Sequence, residues 1–248
     1  MLRAAYIQVQ QAGRPDREAV ALLEELPRRG IEATTFTLKQ LSRRRLGLAP
    51  DVLVAGGMEA VRGALKQLGR TGTELPTYPL SLRDRLGRTV WEATLGEALR
   101  RVETRGEPLF IKPRLDSKRF TGLVLRDASE SFRLAGASRG TPVWCAEPIE
   151  IVAEHRAYVV EGQVVAVAQY DGSPRPAPSA WIDATLQQLI DGGEAPAGFA
   201  IDVATKPGGE PVLMECNDGF ALGQYDGVSN ASYVDLVCAR WRELVGAD

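Results

Sequence analysis

Three oxygen-bearing side chains, Asp202, Glu215 and Asn217, are spaced in a way that suits a hard divalent cation. Asp202 interrupts an apolar run from Phe199 to Ala204, and Glu215 and Asn217 close a second run that begins at Pro211. Between the runs, Lys206-Pro207-Gly208-Gly209 supplies turn chemistry, so the stretch reads as a β-hairpin. Residues two apart on a strand share a face, which sets Glu215 beside Asn217. A turn centred near Pro207-Gly208 sets Asp202 opposite the segment Leu213 to Glu215. Mg²⁺ is held by one or two carboxylates, phosphate oxygens and water. Adjacent carboxylates repel unless a cation or a proton neutralises them, and the apolar strands offer these two no partner of their own. On that argument, neutralising either acid leaves the metal-free protein as stable or more so. A solvated hairpin edge explains the same residues without a metal.

Other polar residues sit in apolar surroundings upstream. Lys112 lies inside PLFIKP, and a buried ammonium needs an anion such as a phosphate, unless it snorkels to solvent from an edge strand. The polar loop Asp116 to Gly122, with Lys118 and Arg119, could cover phosphates with amides and a lysine, although it is no Walker motif. Glu147 and Glu150 are embedded in VWCAEPIEI, where carboxylates and backbone groups can accept from an adenine amine or ribose hydroxyls. In EHRAY, Glu154, Arg156 and Tyr158 alternate onto one face. Arg156 there can grip a phosphate or carboxylate bidentately, or form a cross-strand ion pair. His155, the single histidine, points to the other face, which argues against a histidine-based triad or zinc site.

These residues need elements to hold them. The first 80 residues alternate strands (Ala4 to Val9, Ile31 to Leu38, Asp51 to Ala55) with apolar-striped helices, the pattern of a small α/β unit with a parallel sheet. Pro15 marks the first turn of the first helix and Gly30 its end. Gly56-Gly57 precedes the second helix, and a tight βα turn accounts for it better than an anion site. Thr71 to Pro79 reads as a linker, with a boundary near residue 80. Thr94-Leu95-Gly96-Glu97 has capping-box spacing, Ser179 is placed to cap a later helix, and a terminal helix runs through Tyr233, Leu236, Val237, Trp241 and Leu244.

At 248 residues, 44% hydrophobic, 25% charged and net −2, the chain has an ordinary globular composition, with no case for nucleic-acid or membrane partners. Arg43-Arg44-Arg45 reads as a solvated face or helix end. Three cysteines without metal spacing point to a reducing, cytoplasmic location. Homo-oligomerisation is left open.

Lys112, the glycine-bounded loop, Glu147, Arg156, Asp202 and the ending VLMECNDGFALGQYDG together resemble the ATP-grasp superfamily, over roughly Leu80 to Val245. The ending is most similar to a clade named for two arginines and one lysine. The resemblance implies a mixed α/β fold: an ATP-grasp domain of two α+β subdomains, a smaller one to about residue 142 and a larger one from 143 to 248, preceded by a small Rossmann-like domain. It implies ATP and Mg²⁺ as cofactors, with Mn²⁺ able to substitute. Lys112 and Lys118 resemble the phosphate-binding lysines. Glu147, with Pro148 and Ile149, would hold adenine, and Glu150 or Glu154 the ribose. Arg156 resembles the arginine that stabilises the transferred phosphoryl group, Arg88 could be the clade's other arginine, and Asp202, Glu215 and Asn217 resemble the metal ligands. The activity so implied is a carboxylate–amine ligase forming an acyl phosphate from a small-molecule or peptide acid. Phosphotransfer and non-catalytic nucleotide binding are the competing readings.

Overall fold

The computed structural model describes residues 2–9, 15–71, 73–114, 120–134 and 136–246. Strands β1 (Ala4–Gln8), β2 (Glu32–Phe36) and β3 (Val52–Ala55) form a parallel sheet in the order β2-β1-β3, with β3 buried at every position. Helix α1 (Arg17–Arg28) starts at Asp16, whose carboxylate accepts from the Ala19 N–H at 2.9 Å. Pro15 therefore precedes the cap instead of filling the first helical turn. A short helix, α2 (Leu38–Ser42), follows β2 without a signal noted in the sequence, and the three arginines come at its end. Helix α3 (Met58–Gln67) begins at Gly57, whose N–H donates to Gln8 Oε1 at 2.8 Å, so the glycine pair serves a tight βα turn.

An antiparallel sheet carries β8 (Ala153–Val160), β9 (Gln163–Gly172), β10 (Gly198–Thr205) and β11 (Pro211–Asp218) in the order β11-β10-β8-β9. Glu161 and Gly162 turn β8 into β9 with φ of 46° and 76°, the doubly positive pair that matches strand twist. Helix α5 (Ser179–Asp191) is preceded by Pro178, so Ser179 is its first residue, not its cap, and makes no capping bond. Helix α6 (Asn230–Val245), capped by Ser229, lies against this sheet. The approach requires glycine: a Cβ on Gly198 would stand 2.3 Å from the Leu236 carbonyl, and one on Gly219 2.3 Å from the Gly198 carbonyl. Leu22 and Leu26 of α1 share one core with Tyr233, Val237 and Trp241 of α6. Residues 1–85 and 151–248 consequently form one compact unit.

Residues 73–77, within the expected linker, are not free. The Thr77 carbonyl accepts from the Cys216 N–H at 2.9 Å, the Leu75 N–H donates to Asp218 Oδ2 at 2.9 Å, and the Thr73 carbonyl accepts from Arg240 at 2.6 Å.

Residues 86–150 form the second unit. Strands β4 (Val90–Thr94), β5 (Leu109–Pro113), β6 (Leu123–Leu125) and β7 (Pro142–Ala146) pair antiparallel in the order β4-β7-β5-β6. Helix α4 (Leu95–Arg105) opens with the expected capping box: the Glu97 N–H donates to Thr94 Oγ1 at 3.3 Å, and the Thr94 N–H to Glu97 Oε2 at 2.7 Å. Its buried face, Leu95, Ala98, Leu99 and Val102, packs with Ile111, Val143 and Cys145. Among the described residues, no helix is long and apolar enough to cross a membrane.

Candidate active site

The hairpin β10–β11 forms with the expected register. Asp202 lies directly opposite Glu215, with a bulge between Asp202 and Val203, and Asn217 follows two residues later on the same strand. The Asn217 amide draws the three heads together: its Nδ2 donates to Asp202 Oδ2 at 3.0 Å and to Glu215 Oε1 at 3.3 Å.

Asp202 is not partnerless, and this corrects the sequence argument. On its other side β10 pairs with β8, and the register sets Asp202 opposite Arg156. The guanidinium grips the carboxylate bidentately, Nε to Oδ1 at 2.7 Å and Nη2 to Oδ2 at 2.7 Å, with Arg156 8% and Asp202 2% exposed. The cross-strand ion pair, one of the two roles open to Arg156, is thus the one observed. Burial pushes the Asp202 carboxyl up to about 6, with Glu215 and Glu154 adding repulsion that the Arg156 attraction does not fully offset. Burial also works against the Arg156 charge, but Asp202 more than compensates and holds the guanidinium above its ordinary value. Both groups are charged at neutral pH.

Two tyrosines frame the pair. The Arg156 guanidinium lies 4.8 Å from the Tyr225 ring centroid and 5.7 Å from that of Tyr170, and the two rings stack at 4.6 Å. The Tyr170 hydroxyl donates to Glu154, so Glu154 belongs to this cluster. Tyr225 sits on a loop that is tied residue by residue. The Tyr233 hydroxyl donates to the Leu222 carbonyl at 2.7 Å, the Tyr158 hydroxyl to the Gly223 carbonyl at 2.9 Å, and the Gln224 N–H to Glu18 Oε1 at 2.8 Å. The Tyr225 N–H in turn donates to the Tyr158 hydroxyl at 3.0 Å. Tyr170, Tyr225 and Glu18 were not singled out from the sequence; they come from three separate segments, and no spacing links them. His155 is buried with Nε2 on the Arg175 carbonyl at 3.1 Å, apart from this chemistry.

In the smaller unit, Lys112 is half-buried on β5, between β7 and β6 rather than on a sheet edge, with Trp144 opposite. Glu147 is exposed at the end of β7. Its N–H donates to the Thr89 carbonyl at 3.2 Å, and its carboxylate accepts from the Thr89 N–H at 3.0 Å, a bond that holds its pKa below the usual carboxylate value. Pro148, Ile149 and Glu150 follow without regular structure. Arg88 donates to the Leu86 carbonyl at 2.9 Å. Lys118 lies outside the described residues.

Among the described residues, no three His, Cys, Asp or Glu side chains are placed to hold a metal ion. The candidate set is instead two carboxylates and an amide, all hard oxygen donors once the Asn217 amide turns its Oδ1 inward. Because Asp202 and Glu215 reach the same amide nitrogen, their oxygens already share one space. The donor chemistry fits Mg²⁺, with the condition that Asp202 must give up part of its hold on Arg156.

No curated protein matches this sequence. Among solved structures, the chain is similar to the D-alanine–D-alanine ligase of Bacillus anthracis, with TM-score 0.63 and 14% identity over 99% of both chains. It is similar to a RimK domain ATP-grasp protein of Sphaerobacter thermophilus, with TM-score 0.62 and 16% identity over 98% of this chain and 100% of that one. The ATP-grasp ligase PsnB, in a complex with its minimal precursor, Mg and ADP, aligns with TM-score 0.54 and 15% identity over 96% and 97%. At such identities the likeness speaks to the fold, an α/β architecture shared nearly end to end. The second family of the ATP-grasp domain clade named for two arginines and one lysine matches residues 86–236, which is more than half of the sequence. The chain belongs to the ATP-grasp superfamily, in that clade.

Proposed function

We propose that the chain is an ATP- and Mg²⁺-dependent carboxylate–amine ligase that works through an acyl phosphate. The observation that carries the reading is the cluster of Arg156 with Asp202, Glu215 and Asn217, where a planar cation stands against hard oxygen donors. In such chemistry a carboxylate oxygen of the acid attacks the γ-phosphorus, the bond to the β–γ bridging oxygen breaks, and ADP leaves. The amine nitrogen then attacks the acyl carbon, phosphate departs with the C–O electron pair, and the nitrogen loses a proton. Arg156 would grip γ-phosphoryl oxygens through the fork it now offers Asp202, while Lys112 and Lys118 balance charge on the triphosphate. Glu147 with the Pro148–Ile149 backbone would hold adenine, and Glu154 the ribose. Asp202, Glu215 and Asn217 would hold Mg²⁺ (or Mn²⁺), which neutralises charge developing on the phosphates. Positioning and electrostatics suffice for phosphoryl transfer, and no nucleophile–base pair is required.

Support for ATP comes from the family, support for Mg²⁺ from the PsnB complex, and support for a peptide substrate from the macrocyclase MdnC bound with its precursor peptide. The D-alanine–D-alanine ligase likeness supports small acids equally. The test is ADP release over a panel of amino acids, small acids and acidic peptides, with hydroxylamine present. A hydroxamate forms only from an acyl phosphate. ADP release that yields a stable phosphorylated product and no hydroxamate would overturn the ligase reading.

A further inference from the structure

The sheet of the smaller unit has an open edge. Strand β4 pairs with β7 on one side and has no ladder partner on the other among the described residues. In an antiparallel pair, every second residue turns its N–H and C=O away from the neighbouring strand, so β4 presents unused backbone groups before Thr94, whose N–H is taken by Glu97. Protected edges carry lysine, proline or a bulge, and Val90–Thr94 (VWEAT) has neither residue and no register shift against β7.

A groove of about 550 Å³ runs between this strand and α4, lined by Trp91 and Glu92 of β4 and by Glu97, Arg100, Arg101 and Arg105 of α4. Its net charge is positive. Arg114 offsets Glu92 at 2.8 Å, and Glu97, which stays ionised while it accepts the Thr94 bonds, stands against three arginines, none of which forms an ion pair among the described residues. Arg101 lies 4.6 Å over the Trp91 ring, which steadies the guanidinium while its N–H groups stay available.

Independently of the ligase reading, we propose that this groove docks an extended acidic peptide, added as a further strand on β4 with alternate carboxylates reaching Arg100, Arg101 and Arg105. Main-chain hydrogen bonding would supply affinity and the arginines selectivity. A nucleic-acid strand would satisfy the arginines but not the edge amides and carbonyls. A second copy of β4 would set each arginine trio against its own symmetry mate.

The experiment is fluorescence anisotropy on the full chain with a labelled ten-residue peptide of alternating Glu and Thr. The expected result is saturable binding, with no binding of the matching Lys/Thr peptide. Arg100→Glu with Arg105→Glu, both exposed and therefore safe for the fold, should weaken binding at least tenfold. Backbone N-methylation of the peptide at odd or at even positions should weaken it at least tenfold in one of the two registers. Equal binding by both methylated peptides would overturn strand addition, and equal binding by the double variant would overturn the site. Absence of binding at millimolar peptide would overturn the proposal. So would tighter binding of a ten-nucleotide single-stranded RNA, or a dimer in sedimentation that the double variant abolishes.

Discussion

The ion pair at the centre of the candidate site predicts a double-mutant cycle with a pH signature. Arg156→Met removes the cation and keeps an unbranched apolar stem of similar length. Asp202, 2% exposed, is then left with the Asn217 amide as its donor, while Glu215 and Glu154 add like charge. Breaking a buried pair from one side costs about 3–5 kcal/mol, because the remaining charge is uncompensated. That cost belongs to the ionised carboxylate, so it depends on pH. With Arg156 present, burial and the neighbouring acids hold the carboxyl at about 6, above its ordinary 3.8, and without Arg156 it rises further. Between the folded and unfolded values the native chain binds a proton that the unfolded chain does not, so lowering the pH from 8 to 5 stabilises native Arg156→Met. Asp202→Asn should behave oppositely in the two backgrounds. Alone, it leaves Arg156 with one amide oxygen in place of two carboxylate oxygens at 2.7 Å and costs about 1–3 kcal/mol. Added to Arg156→Met, it removes the stranded charge and stabilises. Urea denaturation of the four proteins at pH 8 and pH 5, without nucleotide or Mg²⁺, reads all of this. A cost below about 1 kcal/mol for Arg156→Met at pH 8, or equal losses from Asp202→Asn in both backgrounds, would refute the reasoning.

Three further outcomes are expected. Glu215→Gln relieves repulsion on Asp202, so metal-free thermal stability should hold or rise while Mg²⁺-dependent ADP release falls by at least about a hundredfold; full turnover would remove Glu215 from the metal set. Lys112→Ala should weaken ATP binding about tenfold by calorimetry at an unchanged melting temperature, a loss of about 1.4 kcal/mol. Gly219→Ala places a Cβ 2.3 Å from the Gly198 carbonyl and 2.7 Å from Leu236, which should cost about 1–3 kcal/mol in chemical denaturation.

Local chemistry was legible in the sequence where neighbours along the chain decide it. Lys206-Pro207-Gly208-Gly209 sets the hairpin, the hairpin sets Asp202 against Glu215, and Thr94 with Glu97 caps α4. What could not be read depends on pairings across long separations. Whether Arg156 meets Asp202 is decided by the register of β8 on β10, which no turn fixes, since β9, α5 and their loops lie between the two strands. The tyrosine stack needs β9 and the loop after β11 to meet, and Glu18 joins it from α1. Residues 71–79 carry linker composition, yet β11 has a backbone N–H and Arg240 a buried guanidinium to satisfy, and that demand draws residues 73–77 in.

The larger unit is assembled from two separated stretches, residues 1–85 and 151–248, and this bears on how the protein is made. Leu22 and Leu26 of α1 find their cover in α6, far along the sequence. Emerging from the ribosome, the first sheet must hold an oily face uncovered until α6 has been made, while residues 86–150 can close their own core before then. The nascent chain is thus a ready client for chaperones that shelter apolar surfaces. Synonymous codon changes that slow translation after residue 150 would lengthen that exposure and lower the soluble yield without altering one residue of the finished protein.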